Sequence, residues 1–334
     1  MMASGTSDLS RLYASSGQNA RLKADLARLT AELSSGQVAD PAQRLGAALP
    51  RLADVDRQLT LNEGFSRTTV QVTQSLQMMQ TALGAVEGAR AALAANALLV
   101  SGAAGSMRVT TVADTARQGF ATTVAALNTR VGNQALFSGR ATDATALAPA
   151  DRMLDALRTA VAGSATVQDA VDAIDTWFGP GGGFETDGYL GDTGAPLTRQ
   201  VDQGITLTIP LRADDPALTR ILAATAMAAL ADDPALGFAD EARRQLVTRA
   251  GERLLTGSEA LVQSSARLGE AEAHLDAVAS GQTARTTGLN LMRNQMLAAD
   301  PFDAAAALQE VQTKLETHYA LTARLSRLSL ADYL

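Results

Sequence analysis

The chain has 334 residues and is 46% apolar, yet its aromatics come to one Trp, four Tyr and seven Phe; apolar bulk of this kind suits long helices packed side by side better than one thick core. An elongated molecule is expected. A net charge of −7 removes the electrostatic basis for nonspecific binding to nucleic acid or to an anionic membrane, and the lack of cysteine excludes disulfides, thiolate metal sites and cysteine nucleophiles.

Met1 to Tyr13 carries no cationic segment followed by an apolar run, so a cleavable signal peptide is not expected. Leu12, Ser15, Asn19, Leu22, Leu26, Leu29 and Leu33 follow a 3,4 spacing that marks one stripe of a helix. Ser34-Ser35-Gly36 closes it, and Asp40 with Pro41 opens another, which places a hinge between them. Leu45, Leu49, Leu52, Val55 and Leu59 continue the pattern, with Pro50 set to kink the helix or restart it. Leu76, Met79, Leu83, Val86, Arg90, Leu93, Ala97 and Val100 form a longer seam, ended by Ser101-Gly102. Phe120, Val124, Leu127 and Val131 mark one face of the next helix, which stops at Gly132.

The grammar changes from about Leu136 to Asp214. Short helical patterns (Met153, Leu154, Leu157, Val161; then Val167, Val171, Ile174, Trp177) lead into Gly179-Pro180-Gly181-Gly182-Gly183, read as a solvent-exposed loop. Ile205-Thr206-Leu207-Thr208-Ile209 then alternates like a strand ended by Pro210. Asp215-Pro216 restarts helix through Leu218, Ile221 and Leu222. The best apolar run, Ile221 to Leu230, is about half of the roughly 20 residues a membrane span needs, so no membrane insertion is expected. Leu261, Ser264, Leu268, Ala271, Leu275, Val278, Gln282, Arg285, Leu289, Met292 and Met296 describe one helix of about eight turns or more.

The last stripe, Leu308, Val311, Leu315, His318, Thr322 and Leu325, mirrors the first. Laid antiparallel, Leu12 faces Leu325, Ser15 faces Thr322, Asn19 faces His318, Leu22 faces Leu315, Leu26 faces Val311 and Leu29 faces Leu308. The polar layers then meet each other, as in a coiled coil whose register is set by a buried polar pair; two amphipathic helices packed elsewhere is the other reading. A second apolar row, Leu321, Leu325 and Leu328, widens the C-terminal arc, for contact with two surfaces or for one broad intramolecular interface. A lone helix of about 25 residues is marginal in water, so docking would couple burial of these stripes to their ordering.

Nothing in the sequence announces catalysis, a cofactor or a metal. His274 and His318 are the only histidines, each on a helical pattern without a local motif. The glycine run lacks the Lys-Ser/Thr ending of a phosphate loop. Glu185, Asp187 and Asp192 do not have calcium-loop spacing and read as a turn.

Leu33-Ser34-Ser35-Gly36, Leu136-Phe137-Ser138-Gly139 with Thr142-Asp143, and Ala323-Arg324-Leu325-Ser326 through Tyr333-Leu334 resemble the bacterial flagellin family, and within it more closely the hook-associated protein 3 group. Gly188-Tyr189-Leu190-Gly191-Asp192 with Gln203-Gly204-Ile205 is similar to the region after the LFSG segment, and Asp40-Pro41 to the residues after the Ser-Ser-Gly turn. The asparagine-threonine opening and the arginine-isoleucine-asparagine-rich stretch of filament flagellins are absent. The resemblance implies a non-enzymatic structural subunit, exported through the flagellar type III channel and extracellular at the hook–filament junction. Its implied partners are hook-associated protein 1, flagellin, copies of itself in a ring and an export chaperone.

The expected fold is mainly α, an antiparallel helical bundle built from both arms with a small inserted α+β module. Residues 1–36 and 301–334 form the pairing terminal helices, 37–135 and 215–300 the long-helix bundle, and 136–214 the surface-exposed module. The expected assembly interface is Leu12, Asn19, Leu22, Leu26, Leu29, Leu33, Leu308, Val311, Leu315, His318, Thr322, Leu325 and Leu328. Two alternatives stand beside it: a divergent filament flagellin, and a non-flagellar helical-hairpin signalling or adhesin protein.

Overall fold

The structure, a computed structural model, describes residues 4–101 and 106–331, with side chains described for 13–100 and 107–324. Helix α1 (Ser4–Ser35) ends where Gly36 turns with φ +68°. The short α2 (Pro41–Leu45) is capped by Asp40, whose carboxylate accepts from the Gln43 amide at 3.0 Å. A 3-10 turn follows, and α3 (Leu49–Leu98) begins beside Pro50. Proline tolerates the first turn of a helix because no intrahelical donor is needed there, so Pro50 restarts the helix rather than kinking it.

Beyond α3 come α4 (Ser106–Leu127), a two-residue hairpin of β1 (Arg130–Val131) and β2 (Gln134–Ala135), and α5 (Ala150–Val161). Next are α6 (Val167–Phe178), a single π-helical turn over Phe184–Gly188, and an antiparallel hairpin of β3 (Thr198–Asp202) and β4 (Ile205–Thr208). Helices α7 (Pro216–Leu230), α8 (Asp240–Leu297) and α9 (Pro301–Ala331) complete the chain. The fold is mainly α with a small α+β module. The chain divides into two compact units, residues 1–63 with 283–334 and residues 64–282, and both divisions fall inside the longest helices, α3 and α8.

In the unit of residues 64–282 the α3 seam is buried at every expected position from Leu76 to Val100, Arg90 included. A buried guanidinium requires partners; Arg90 NH1 donates to the Leu254 carbonyl on α8 at 2.7 Å, and its other nitrogens donate to Glu87. That hydrogen bond holds the Glu87 carboxyl below its usual range. Gln80 Nε2 donates to the Ser265 carbonyl at 2.8 Å, so α3 and α8 run antiparallel here. Helix α8 contributes Leu261, Ser264, Leu268, Ala271, Leu275, Val278 and Gln282, all buried. Helices α4 and α7 pack together, and Phe120, Val124 and Leu127 are buried.

The segment 136–214 shares this core. Its expected helical stripes, Met153, Leu154, Leu157 and Val161 on α5 and Val171, Ile174 and Trp177 on α6, join one hydrophobic cluster with the α3, α4, α7 and α8 residues. Thr166 and Asp169 form a reciprocal capping box that starts α6. The β3–β4 hairpin is irregular between Gln200 and Asp202. There the Val201 carbonyl accepts from Thr69 at 3.2 Å and from Gln282 at 2.7 Å, which fastens the hairpin to both long helices.

The glycine run is not a free loop. A Cβ on Gly183 would lie 2.1 Å from Trp177 Nε1, and one on Gly182 2.2 Å from the Thr176 carbonyl oxygen. The backbone therefore lies flat against α6, closing over Trp177 beside Phe178 and Phe184. Glycine is required by close approach, and local sequence does not reveal which face a Gly run presses on.

Candidate assembly interface

In the unit of residues 1–63 and 283–334, α1 and α9 pack along each other. Their expected stripes face inward as far as Leu29 on one helix and Leu308 on the other, but incompletely. Asn19, Leu22 and Leu26 of α1 are half-buried and Leu29 is buried; Leu308, Val311, Leu315 and His318 of α9 are half-buried. Leu12, Leu325 and Leu328 lie on these helices but outside the residues whose side chains are described.

Two stripe residues depart from the seam. Leu33 is 41% exposed, because α9 has only just begun at its level, and Thr322 is exposed, its hydroxyl donating to the His318 carbonyl at 2.8 Å. The register also differs from the expected polar matching: Ser15 Oγ lies 3.4 Å from His318 Nε2, one helical turn from Thr322. The base of the pair is tied by backbone groups. Gln37 and Ala298 form an antiparallel bridge; the Val38 amide donates to the Leu297 carbonyl at 2.8 Å and the Ala299 amide to the Gly36 carbonyl at 3.0 Å. Backbone pairing of the two links thus ties the base of the two helices together.

Between α1 and α9 runs an open groove of about 590 Å³, lined among others by Ser15, Gln18, Leu22, Lys314, His318 and Leu321. His318 Nδ1 is buried without a hydrogen-bond partner among the described residues. Lys314 pairs with Glu310 at 2.7 Å, a hydrogen bond that lowers the Glu310 carboxyl. Tyr13, Phe302 and Leu321 are exposed at 77%, 86% and 56%. The groove is open and bordered by exposed apolar side chains, an arrangement suited to docking.

The rest of this unit is held by polar pairs. Asn62 Nδ2 donates to Thr286 at 2.8 Å, Arg285 donates to Asn62 at 3.0 Å, and Arg293 to Asp56 at 2.8 Å. Leu52, Val55, Leu289 and Leu297 are buried. The α8 seam read from the sequence does not continue unchanged here: Arg285 and Met292 are exposed, and Leu297 takes the buried place in their stead. Leu289, between Arg285 and Met292 on the same seam, stays buried.

Sequence reading missed Glu32, which is 9% exposed and accepts from Arg28 and from the Ala39 amide, both at 3.2 Å. It also missed Asp300, whose carboxylate caps α9 through the amides of Phe302 at 2.8 Å and Asp303 at 3.3 Å. The signal was available, because Asp300-Pro301 repeats the Asp40-Pro41 dipeptide at the other link. Among the described residues no group of three or more metal-binding side chains gathers, and no helix is long and apolar enough to cross a membrane. The carboxylates once read as a turn are engaged within their loop, Glu185 with the Gly181 amide and Asp192 with the Gly194 amide, each at 2.9 Å.

Fold and interface together define a mainly α protein whose terminal helices pair beside an open groove. No family model matches the sequence, and no curated protein matches it. The fold is similar to a solved structure from Vibrio parahaemolyticus, provisionally named a flagellar hook-associated protein, with a TM-score of 0.51 and 12% sequence identity over 75% of this chain and 97% of that one. At that identity the likeness is one of fold.

Proposed function

We propose that this protein is a structural subunit of the bacterial flagellum, of the hook-associated protein 3 type, which joins the hook to the filament by lattice assembly of its terminal helices. The observation that carries the reading is the α1/α9 pair, whose apolar stripe stays half-buried along Leu22, Leu26, Val311 and Leu315 with a groove beside it. At about 25 cal/mol per Å² of apolar surface, completing the burial of each such side chain is worth on the order of 1 kcal/mol. A lattice that covers the stripe in every subunit gains this many times over. The fold likeness to a protein named as hook-associated, and the LFSG and terminal motifs, support the same reading.

On this reading the neighbours in the lattice are hook-associated protein 1, flagellin and further copies of the chain. Export runs through the flagellar channel without a cleaved signal, with a chaperone holding the terminal helices beforehand, and the assembled protein is extracellular. Deleting the gene and examining hooks and culture medium together tests it. Bare hooks with monomeric flagellin lost to the medium are expected. Missing filaments without released flagellin would identify a filament flagellin instead, and normal motile filaments would remove the protein from the flagellum.

A further inference from the structure

We infer that the two links at the base of the terminal helices form a clasp, through which α1 and α9 order and loosen as one body. Each link is short and extended, and each is bounded by Asp-Pro. Asp40 and Asp300 cap the helices that follow, and the ladder is short because α1 ends at Ser35 and α8 at Leu297. What remains is the Gln37–Ala298 bridge with its two flanking hydrogen bonds.

Glu32 anchors this bridge to α1. Its nearly buried carboxylate accepts from the Ala39 amide on the far side of the bridge and from Arg28 one turn earlier on its own helix. The last turn of α1, the first link and, through Val38 and Ala299, the link into α9 are therefore one connected set of hydrogen bonds. Freeing one helix end breaks the support of the other. Side-chain burial along the pair is too partial to hold either helix alone, so the clasp supplies the coupling. This inference does not depend on the flagellar reading.

The test uses the purified full-length chain. Amide hydrogen exchange is followed in α1 and α9, with Trp177 fluorescence reporting the fold of residues 64–282. Glu32→Ala removes charge-assisted hydrogen bonds, and exchange is expected to accelerate roughly tenfold to a hundredfold in both helices together. Trp177 emission should be unchanged. The second variant, Gln37→Cys with Ala298→Cys, exploits the cysteine-free background. Residues 37 and 298 form a non-hydrogen-bonded antiparallel pair, whose Cα separation of about 4.5 Å lies within disulfide reach. Oxidation should close the bond intramolecularly and slow exchange in both helices, including when Glu32→Ala is added. Acceleration confined to one helix, no acceleration in either, absence of slow exchange in the parent chain, or failure of the cysteine pair to close would each overturn the clasp.

Discussion

Along α3 and α8, within residues 64–282, Leu76, Met79, Leu83, Leu93, Leu268 and Leu275 are at most 1% exposed, whereas in the α1/α9 pair the same 3,4 pattern leaves Leu22, Leu26, Val311 and Leu315 half-buried. The sequence signal is alike, and the surroundings differ. In the first region α4, α5, α6 and α7 add further walls, and aromatic side chains such as Phe120, Phe137 and Phe184 fill the space between them. In the second, among the described residues, α1 and α9 pack chiefly on each other. A stripe becomes core only where enough elements converge to surround it, and a stripe left half-covered is where a partner adds stability.

The largest effect that would sharpen this contrast is Phe120→Ala. A fully buried Phe120 should cost about 3–5 kcal/mol when truncated, read as a lower denaturant midpoint by Trp177 fluorescence. Gly183→Ala comes next. With the new Cβ 2.1 Å from Trp177 Nε1 the backbone must shift, for about 1–3 kcal/mol, together with altered Trp177 emission. In the terminal pair the pattern inverts: Leu315→Glu should move the midpoint of residues 64–282 by less than about 0.5 kcal/mol while lowering total helicity. A large shift in that midpoint would erase the distinction between the regions.

The smallest effects concern pH. The Glu87 carboxyl is lowered by its hydrogen bonds from Arg90, and the Glu310 carboxyl by Lys314. Depressed folded values stabilise above the ordinary carboxylate range, so this contribution is present at neutral pH and lost as pH falls below about 4. Circular dichroism during acid titration checks it. Tyr189 titrates in the opposite sense: burial raises its phenol well above the ordinary value, so its stabilisation is complete below about pH 10 and is lost as pH rises further. Tyr189→Phe should flatten the alkaline decline of Trp177 fluorescence.

These contrasts also explain what the sequence could reveal. The Leu76–Val100 seam, the α5 and α6 stripes and the Ile205–Thr208 strand were legible because burial writes a period into side-chain type. The identity of the inward faces of α1 and α9 was legible for the same reason, from Leu22 to Leu29 and from Leu308 to His318. The bridge at their base was not, because it is made by backbone groups of residues 36–38 and 297–299, and backbone pairing leaves little trace in side-chain identity. The packing of Gly182 and Gly183 on Trp177 was equally hidden, being a matter of tertiary approach. So was Asn128, whose side chain exchanges hydrogen bonds with the Leu147 backbone at 2.8 and 3.0 Å. A single polar residue after a helix carries no address for its partner.

The most direct test of the central claim is to restore the chain to a deletion strain as Leu315→Glu, confirm native Trp177 fluorescence in the purified variant, and count filaments by electron microscopy. The account predicts a folded protein that is produced but does not enter the structure, leaving hooks bare. Filaments in normal number, with the variant incorporated, would contradict the claim that the terminal helix pair is the assembly surface.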